Sequence, residues 1–344
     1  MLEHRTGNIL QADAEALVNT VNCVGFMGKG IALQFKLAYP ENYEAYRKAC
    51  AKTLVKPGRM FVHETSALVG PRYIINFPTK RHWRGKSRME DIQQGLEALV
   101  SEVRQRGITS IAVPPLGCGL GGLDWSEVRP LIERAFSALP DVRVLIYEPA
   151  QPPAPAARPV ATRPPKMTPA RALFIKAMDL YSDFQYRLTQ LEIQKLAYFL
   201  QEAGEPLRLR FKAGHYGPYA DNLNKVLERI EGHFTRGFTG SRSPDVEIQL
   251  LEGAADKAEA YLAEHEQSRQ RLDRVAQLIE GFETPYGMEL LASLHWVTAH
   301  QEPKPAGVDE AISRVHQWNR RKRDLLKPQH LRVAWQHLSD QQWL

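Results

Sequence analysis

Residues 16–32 read ALVNTVNCVGFMGKGIA, and this stretch decides the fold of the first part of the chain. Residues 16–21 are β-branched and almost continuously apolar, as strands buried on both faces are. The glycines that follow lead into residues 30–38, which show helical spacing. A strand, a glycine-rich loop and a helix in this order are typical of a layered α/β domain.

The same alternation continues to residue 147. Further strands are predicted at residues 72–77, 110–114 and 142–147, and helices at residues 30–38, 41–51, 89–106 and 126–139. Polar side chains at residues 124–127 can cap the last of these helices. We therefore predict an α/β domain over residues 1–149.

A second glycine-rich loop, PPLGCGLGG at residues 114–122, also follows a strand and precedes a helix. Glycines let the backbone approach an anion closely, and a helix N-terminus adds N–H donors and partial positive charge. Two such loops at the ends of strands suit a diphosphate held from both sides. The plainer interpretation, two tight strand–helix turns, stays open.

The second loop also allows an alternative function. Gly117, Gly119 and Gly122 match the dinucleotide-binding pattern, and Glu148 ends the next strand, as in an NAD-dependent Rossmann oxidoreductase. The glutamate, however, follows after more than the roughly 20 residues expected of that fold. The first glycine loop would also have no role.

The chain has 344 residues, which is long enough for two domains. Residues 150–167 are rich in proline and alanine and predict an exposed linker. Beyond it, residues 168–184 and 189–203 show helical spacing, the second with a capping box at Thr189 and Glu192. Short β-like segments at 207–211, 234–238 and 246–250 interrupt the helices, which resume at residue 253. Residues 168–344 are therefore predicted to form a mostly α-helical domain with a small β element.

The composition limits the partners, metal sites and location that we expect for this chain. The formal net charge of +6 favours a polyanionic partner. Three cysteines without a CxxC pair argue against a disulfide framework and a structural zinc site, and we predict no metal and no cofactor. No apolar run approaches the roughly 20 residues that span a bilayer, and the start lacks the apolar core of a signal peptide. We expect no membrane association and a cytoplasmic location.

Four motifs of the first domain together resemble the macrodomain family: TGNI (6–9), ALVNTVN (16–22), GKGIA (28–32) and PLGCG (115–119). Residues 76–84, NFPTKRHWR, resemble its DarG-type branch, the DNA ADP-ribosyl glycohydrolase antitoxins of DarT toxins, which is close to terminal ADP-ribose glycohydrolase. The resemblance implies a three-layer α/β/α fold with a mixed sheet and an ADP-ribose cleft at the strand ends. It also implies ADP-ribosylated single-stranded DNA as the substrate.

The resemblance further implies roles for residues. Asn8, where the family usually has aspartate, and Ile9 lie beside the adenine; Tyr147 flanks the adenine or packs against the linker. Asn22 contacts the distal ribose, and the glycine loops cover the diphosphate. The predicted binding set is Asn8, Ile9, Asn22, Gly28, Lys29, Gly30, Ile31, Thr79, Leu116, Gly117, Cys118, Gly119, Leu120 and Tyr147.

By the same resemblance, Lys80 is the catalytic residue that removes ADP-ribose from thymine by breaking the bond between the base and the distal ribose. A neutral amine can attack the sugar and form a ribosyl-lysine intermediate, or a charged one can polarise the leaving base. Nearby cations lower the pKa of a lysine, and four are close in sequence: Arg81, Arg84, Lys86 and Arg88.

One departure from the related branch concerns the second glycine loop. Terminal ADP-ribose glycohydrolase has an aspartate there that helps to resolve the intermediate, whereas this chain has Gly121, with Asp124 as the nearest carboxylate. Either Asp124, or the substrate and water, takes that role, or the mechanism is not covalent.

Two other interpretations of the segment around Lys80 remain. Residues 80–88 could be a solvated basic loop, or a loop that binds the DNA backbone with Trp83 as a face for a base. The first domain could also be a non-catalytic ADP-ribose reader.

In the second domain, IQKLAYFL (193–200) and FKAGHYGPY (211–219) resemble SocA-like (Panacea) antitoxin domains over about residues 168–238. The resemblance implies a helical module that binds and neutralises the cognate DarT toxin. Residues 216–219 are expected to form a turn before the next helix. The acidic residues between Pro244 and Gln267 form either a solvated helix face or a surface that imitates nucleic acid toward the toxin.

Overall fold

The computed structural model describes residues 1–65, 70–149, 158–182, 188–240 and 246–344. They form two compact units, Met1–Arg163 and Pro164–Leu344. Residues 150–157 of the predicted linker lie outside the described residues. Beyond them, Arg158 is buried and the Ala161 N–H donates to the Leu37 carbonyl at 2.8 Å. The start of this later part therefore contacts the first unit, whereas Pro159, Ala161, Arg163, Pro164 and Lys166 are exposed.

The first unit is a mixed sheet between two layers of helices. Its strands are β1 (Leu2–Arg5), β2 (Ala16–Asn22), β3 (Phe61–Glu64), β4 (Tyr73–Lys80), β5 (Ser110–Val113) and β6 (Arg143–Tyr147). Its helices are α1 (Gly30–Ala38), α2 (Pro40–Ala51), α3 (Met89–Arg106) and α4 (Trp125–Phe136). The strand order is β1-β6-β5-β2-β4-β3, with only the β3–β4 pair antiparallel among the pairings described.

This topology rules out the Rossmann alternative. A dinucleotide-binding domain of that type has the strand order 3-2-1-4-5-6. Here the GxGxxG loop follows β5, and an antiparallel strand closes one edge of the sheet. The glycine pattern alone was not specific.

Alternate strand residues enter opposite cores, as the pleat requires. Val18, Ile75 and Val113 pack in the cluster that includes α3 and α4, whereas Leu17 and Ile74 pack with residues of α1. The predicted three-layer α/β/α fold with a mixed sheet is confirmed.

The sequence analysis did not predict the two edge strands. β1 reads LEHR and is mostly exposed, and β3 reads FVHE and is at most half-buried. Polar edge strands lack the apolar runs of buried strands, so their pairing depends on partners distant in sequence.

The second unit is mostly helical. Its helices are α5 (Pro169–Ser182), α6 (Gln190–Glu202), α7 (Leu223–Ile230), α8 (Ala254–Leu262), α9 (Glu266–Ile279), α10 (Pro285–Ala299), α11 (Val308–Trp318), α12 (Arg320–Leu325) and α13 (Pro328–Asp340). The hairpin β7 (Phe211–Gly214) and β8 (Gly217–Ala220) and the short pair β9 (Thr235–Arg236) and β10 (Gln249–Leu250) form its small β element. The predicted capping box at Thr189 and Glu192 is present. Among the described residues, no helix combines the length and the apolar character needed to cross a membrane.

The prediction of a turn at residues 216–219 was wrong. Residues 217–220 form β8, which pairs with β7 and precedes α7 by two residues. Pro218 lacks an N–H but is tolerated, because a strand of a two-stranded hairpin needs hydrogen bonds on one side only.

Candidate active site

A cavity of about 760 Å³ lies where β2, β4, β5 and β6 end. Asn22, Lys80 and Tyr147 are the last residues of three of these strands, and Pro114 follows the fourth. Since the four strands are parallel, their carboxyl ends meet at one edge of the sheet, where α/β folds bind ligands. The volume is in the range of small-molecule sites.

Nearly all predicted site residues line this cavity. From the predicted set these are Asn8, Ile9, Asn22, Gly28, Lys29, Gly30, Ile31, Thr79, Lys80, Gly117, Cys118, Gly119, Leu120 and Tyr147. Leu116 does not: its side chain is fully buried in the core beside α3 and α4. The apolar side chain at this position packs into the core and anchors the start of the loop, and the glycines that follow line the cavity.

The Asn22 side chain shapes the first glycine loop. Its Nδ2 donates to the Phe26 carbonyl at 2.5 Å, and its Oδ1 accepts from the N–H groups of Val24 at 3.0 Å and Phe26 at 3.3 Å. The Tyr46 hydroxyl donates to the Asn22 carbonyl at 2.6 Å. The amide of Asn22 thus holds the first glycine loop in place, and its Oδ1 also accepts from the Tyr46 hydroxyl at 3.3 Å.

The second glycine loop leaves no room for a side chain at position 121. A Cβ there would lie 2.1 Å from the Gly117 carbonyl oxygen and 2.4 Å from Ser87 Oγ. The Gly121 carbonyl also accepts the Ser87 N–H at 3.1 Å. The aspartate of the related branch therefore cannot occupy this position without moving the loop.

Asp124, the nearest carboxylate in sequence, does not line the cavity. Its Oδ1 accepts from the Ser126 N–H at 2.8 Å and the Ser126 hydroxyl at 2.7 Å, which caps α4 and lowers the Asp124 pKa. The described residues that line the cavity include one carboxylate, that of Glu148, which follows Tyr147 at the end of β6.

Lys80 belongs to a strand and not to the predicted loop. Val21 pairs with Pro78, but Asn22 pairs with Lys80, so the register shifts at Thr79. Proline has no N–H for the ladder, and a bulge re-aims the side chain that follows it. The Lys80 amine donates a hydrogen bond to the Leu120 carbonyl of the second glycine loop.

Burial, and then the charge of Lys86, lower the pKa of Lys80. The sequence analysis expected four cations to contribute, but Arg81 is paired with the buried Asp91, with Nη2 to Oδ1 at 3.0 Å. The Arg84 guanidinium lies over the Trp83 ring at 4.5 Å. The electrostatic part of the effect therefore comes from Lys86.

Three fully buried asparagines support this end of the site. Asn19 Nδ2 donates to Asn76 Oδ1 at 3.0 Å, and Asn76 Nδ2 donates to Asn42 Oδ1 at 2.7 Å and to the Phe61 carbonyl at 3.1 Å. These bonds join β2, β4, β3 and α2. Buried amides that are paired in this way fix the strand that carries Lys80.

The opposite end of the cavity is formed by residues 7–9, which follow β1, and by residues 147–149 at the end of β6. Ile9 and Tyr147 pack in one apolar cluster, and Asn8 Oδ1 accepts the Leu10 N–H at 3.1 Å, capping a short 3₁₀ turn over Ile9–Gln11. Three strand spacings of about 4.8 Å separate β6 from β4, or about 14 Å. The cavity is thus elongated, with Tyr147 and Lys80 at opposite ends.

One group of possible metal ligands occurs in the described part of the chain, and it lies in the second unit. Its members are Glu202, His295 and His300, whose ligand atoms lie within 4.8 Å of one another. Hydrogen bonds already use them: Tyr198 OH to His295 Nδ1 at 2.7 Å, and His300 Nε2 to Glu202 Oε1 at 3.1 Å. These contacts account for the cluster without an ion.

Comparison with known proteins finds one matching family model and several relatives of this chain. Residues 18–132 match the model of the Macro domain family. The "DNA ADP-ribosyl glycohydrolase" of Thermus aquaticus is 48% identical over 97% of this chain and 92% of its own length. The protein of the same name from Mycobacterium tuberculosis is 43% identical over 97% of this chain and 98% of its own length.

A further relative covers only part of the chain. The "DNA ADP-ribosyl transferase-DNA ADP-ribosyl glycohydrolase fusion protein" of Thermosipho africanus is 36% identical over 42% of this chain and 41% of its own length. Identity above 40% over nearly the whole length of the first two relatives shows the family. The chain belongs to the macrodomain enzymes of the DNA ADP-ribosyl glycohydrolase family.

Proposed function

We propose that the first unit removes ADP-ribose from thymine bases of single-stranded DNA by hydrolysing the N-glycosidic bond to the distal ribose. The observation that carries this proposal is the position of Lys80. Its amine, with a lowered pKa, lies at one end of an elongated cavity whose middle is bounded by two glycine loops and whose other end holds Tyr147. An adenine, a diphosphate and a sugar can occupy these three parts in order.

The two loops would hold the diphosphate through backbone N–H groups, and α1 adds the partial positive charge of its N-terminus behind the first loop. This places the anomeric carbon of the distal ribose beside Lys80. The neutral amine attacks that carbon, the bond from carbon to base nitrogen breaks with the electron pair going to the base, and the base takes up a proton. The amine loses a proton to solvent as the ribosyl-lysine forms.

Water then attacks the same carbon, which releases ADP-ribose and restores the lysine amine. Since position 121 cannot hold a carboxylate and Asp124 caps α4, proton transfer in this step falls to water and the substrate diphosphate. A neutral amine is favoured by the burial of Lys80 and by Lys86.

The test is incubation of the full chain with an oligonucleotide ADP-ribosylated on thymine. The proposal predicts free ADP-ribose and the unmodified oligonucleotide in equal amounts, measured by mass spectrometry. A non-catalytic reader would instead bind ADP-ribose and release none.

We further propose that the second unit is a SocA-like domain that binds and neutralises a cognate DarT-type DNA ADP-ribosyltransferase in the bacterial cytoplasm. Support comes from the Thermosipho africanus relative, in which transferase and glycohydrolase are named as one fusion protein. A pull-down of the full chain with such a transferase, with a chain truncated after residue 163 as the comparison, tests this proposal.

The acidic segment is the proposed site of that contact. Pro244 and Asp245 lie outside the described residues, but an exposed set remains on and around α8: Glu252, Asp256, Glu259, Glu264 and Glu266. Glu259 is partly neutralised by Lys176 at 3.3 Å. Replacing Glu252, Asp256 and Glu264 with lysine should slow association with the toxin, because complementary charge acts mainly on the association rate. An unchanged rate would rule the segment out.

A further inference from the structure

Exposed apolar side chains are concentrated at the Lys80 end of the cavity. Phe26 is 48% exposed, Trp83 44% and Leu120 68%, and all three line the cavity. Single exposed apolar residues are ordinary, but a group of them at the mouth of a site marks a surface that binds something.

Two of these side chains form an aromatic platform, Phe26 and Trp83. Their ring centroids lie 5.7 Å apart at an interplanar angle of 35°, although Phe26 comes from the first glycine loop and Trp83 from the segment after β4. A glycine at position 28 is needed for this arrangement, because a Cβ there would lie 2.4 Å from Phe26 Cε1. The glycine loop therefore also seats an aromatic ring beside the reactive lysine.

The surroundings of the platform are cationic. The Arg84 guanidinium lies over the Trp83 ring at 4.5 Å, and Lys86 and Arg88 are exposed on the same segment. Residues 82–88 contain two arginines, one lysine and one histidine, and no acidic side chain. A phosphodiester chain would find counter-charges here, and stacking on aromatic side chains is how proteins hold unpaired bases.

We propose that the Phe26–Trp83 platform binds the base next to the modified thymine in single-stranded DNA, with Arg84 and Lys86 on the intervening phosphate. This inference rests on the proposed function and specifies how its substrate is held. Under that function the base to be released lies at Lys80. Phe26 and Trp83 line the same cavity and are partly exposed, so the neighbouring nucleotide is the group that reaches them.

The experiment compares kcat/KM for a long ADP-ribosylated oligonucleotide with kcat/KM for a substrate that has the modified nucleotide alone. Phe26→Ala and Trp83→Ala should lower the ratio of the two values by about tenfold each, the size expected for a lost base–aromatic stack. Trp83→Phe, which keeps a ring, should restore most of the ratio. The hydrogen bonds of Asn22 to residue 26 use main-chain atoms, so the alanine variant retains them.

Leu54→Ala is the matched control, since Leu54 is 47% exposed and does not line the cavity. Its ratio should equal that of the wild type. An unchanged ratio in both aromatic variants would overturn the platform. If the wild type releases no ADP-ribose from either substrate, the proposed function fails, and the platform is then tested by fluorescence anisotropy with unmodified single-stranded DNA. Equal affinity of the wild type and the two alanine variants there would overturn it as well.

Discussion

Burial is the first cause of the lowered pKa values of Lys80, in the first unit, and of Lys195, in the second. Lys80 lines a cavity and donates to the Leu120 carbonyl. Lys195 is only 2% exposed, its amine has no hydrogen-bond partner among the described residues, and its pKa falls to about 8. The more strongly shifted lysine is thus the less accessible one. We propose Lys80 as the catalytic residue because it lines a cavity, and not because of the size of its pKa shift.

A second lysine of the same unit shows what Lys195 lacks. Lys322 is fully buried, but its Nζ donates to Glu289 Oε1 and to Ser293 Oγ, each at 2.8 Å. Lys195 and Ser293 both lie beside Gly217, but the Lys195 amine shares none of these bonds. A buried charge with partners is tolerated, whereas one without partners is expected to reduce stability.

The largest expected effect is on turnover, which replacement of Lys80 should abolish and replacement of Lys195 should leave unchanged. Lys80→Ala should lower the release of ADP-ribose from modified DNA by about 10³-fold or more, because it removes the attacking group. ADP-ribose affinity, measured by calorimetry, should change little, since the glycine loops hold the diphosphate. Lys195→Met should keep full turnover. Wild-type turnover by the Lys80 variant would remove this residue from the mechanism.

The next largest effect is on the free energy of unfolding, and it distinguishes the unpaired Lys195 from the paired Lys322. The folded-state pKa of Lys195, about 8, lies below the value of about 10.4 in the unfolded chain. Between these pH values the unfolded state binds more protons, so the stability of the wild type should rise with pH across this window, by on the order of 3 kcal/mol. This rise should disappear in Lys195→Met, which should also be more stable than the wild type at pH 7.

Urea denaturation of the full-length proteins at pH 7 and pH 10 measures both changes. Lys322→Met is the control and should be destabilised, because Glu289 loses a buried partner. Equal stability of Lys195→Met and the wild type at pH 7 would show that the Lys195 amine is paired in solution.

A smaller effect tests the loop that receives the Lys80 amine. Gly121→Ala should reduce stability by about 1–3 kcal/mol, because its Cβ would collide with the Gly117 carbonyl oxygen and Ser87. Gly119→Ala is the matched control: a Cβ there has no neighbour within 4 Å, so the change should stay within about 0.5 kcal/mol. Thermal denaturation of the two variants distinguishes these cases, and equal losses would show that the loop yields at position 121.

The smallest effect concerns the pH profile of turnover. If the neutral amine of Lys80 attacks, kcat/KM should rise with pH and level off below pH 10.5, since the folded protein lowers this pKa. Lys86→Gln removes the second cause, so the midpoint should move to higher pH and turnover at pH 7 should fall by about twofold. A rate that falls as pH rises over the same range would favour the charged lysine that polarises the leaving base.

Much of the first unit could be predicted from the sequence, because its central strands are apolar runs and its helices carry local end signals. α1 and α3 have the predicted limits, and Gly107, which adopts a left-handed conformation, caps the end of α3. The edge strands and the strand position of Lys80 were not predicted, since they depend on pairing with residues far away in the chain.

The site was predictable as a set of residues but not as a set of contacts. The glycine loops and Lys80 do line one cavity. The cap at the start of α4 was predicted, but the capping bond of Asn8, the burial of Leu116 and the aromatic partner of Trp83 require coordinates, because each depends on where a side chain points. The sequence analysis named Trp83 as a face for a base, and Phe26, an aromatic residue inside a glycine loop, was a second local signal that it did not use.

The most direct test of the central claim is a crystal structure of the full chain with ADP-ribose. The account predicts the diphosphate between residues 28–31 and 117–120, the adenine beside Tyr147, and the anomeric carbon of the distal ribose within contact distance of Lys80 Nζ. A nucleotide bound in the reverse direction, with its adenine at Lys80, or bound elsewhere with the two loops vacant, would contradict it.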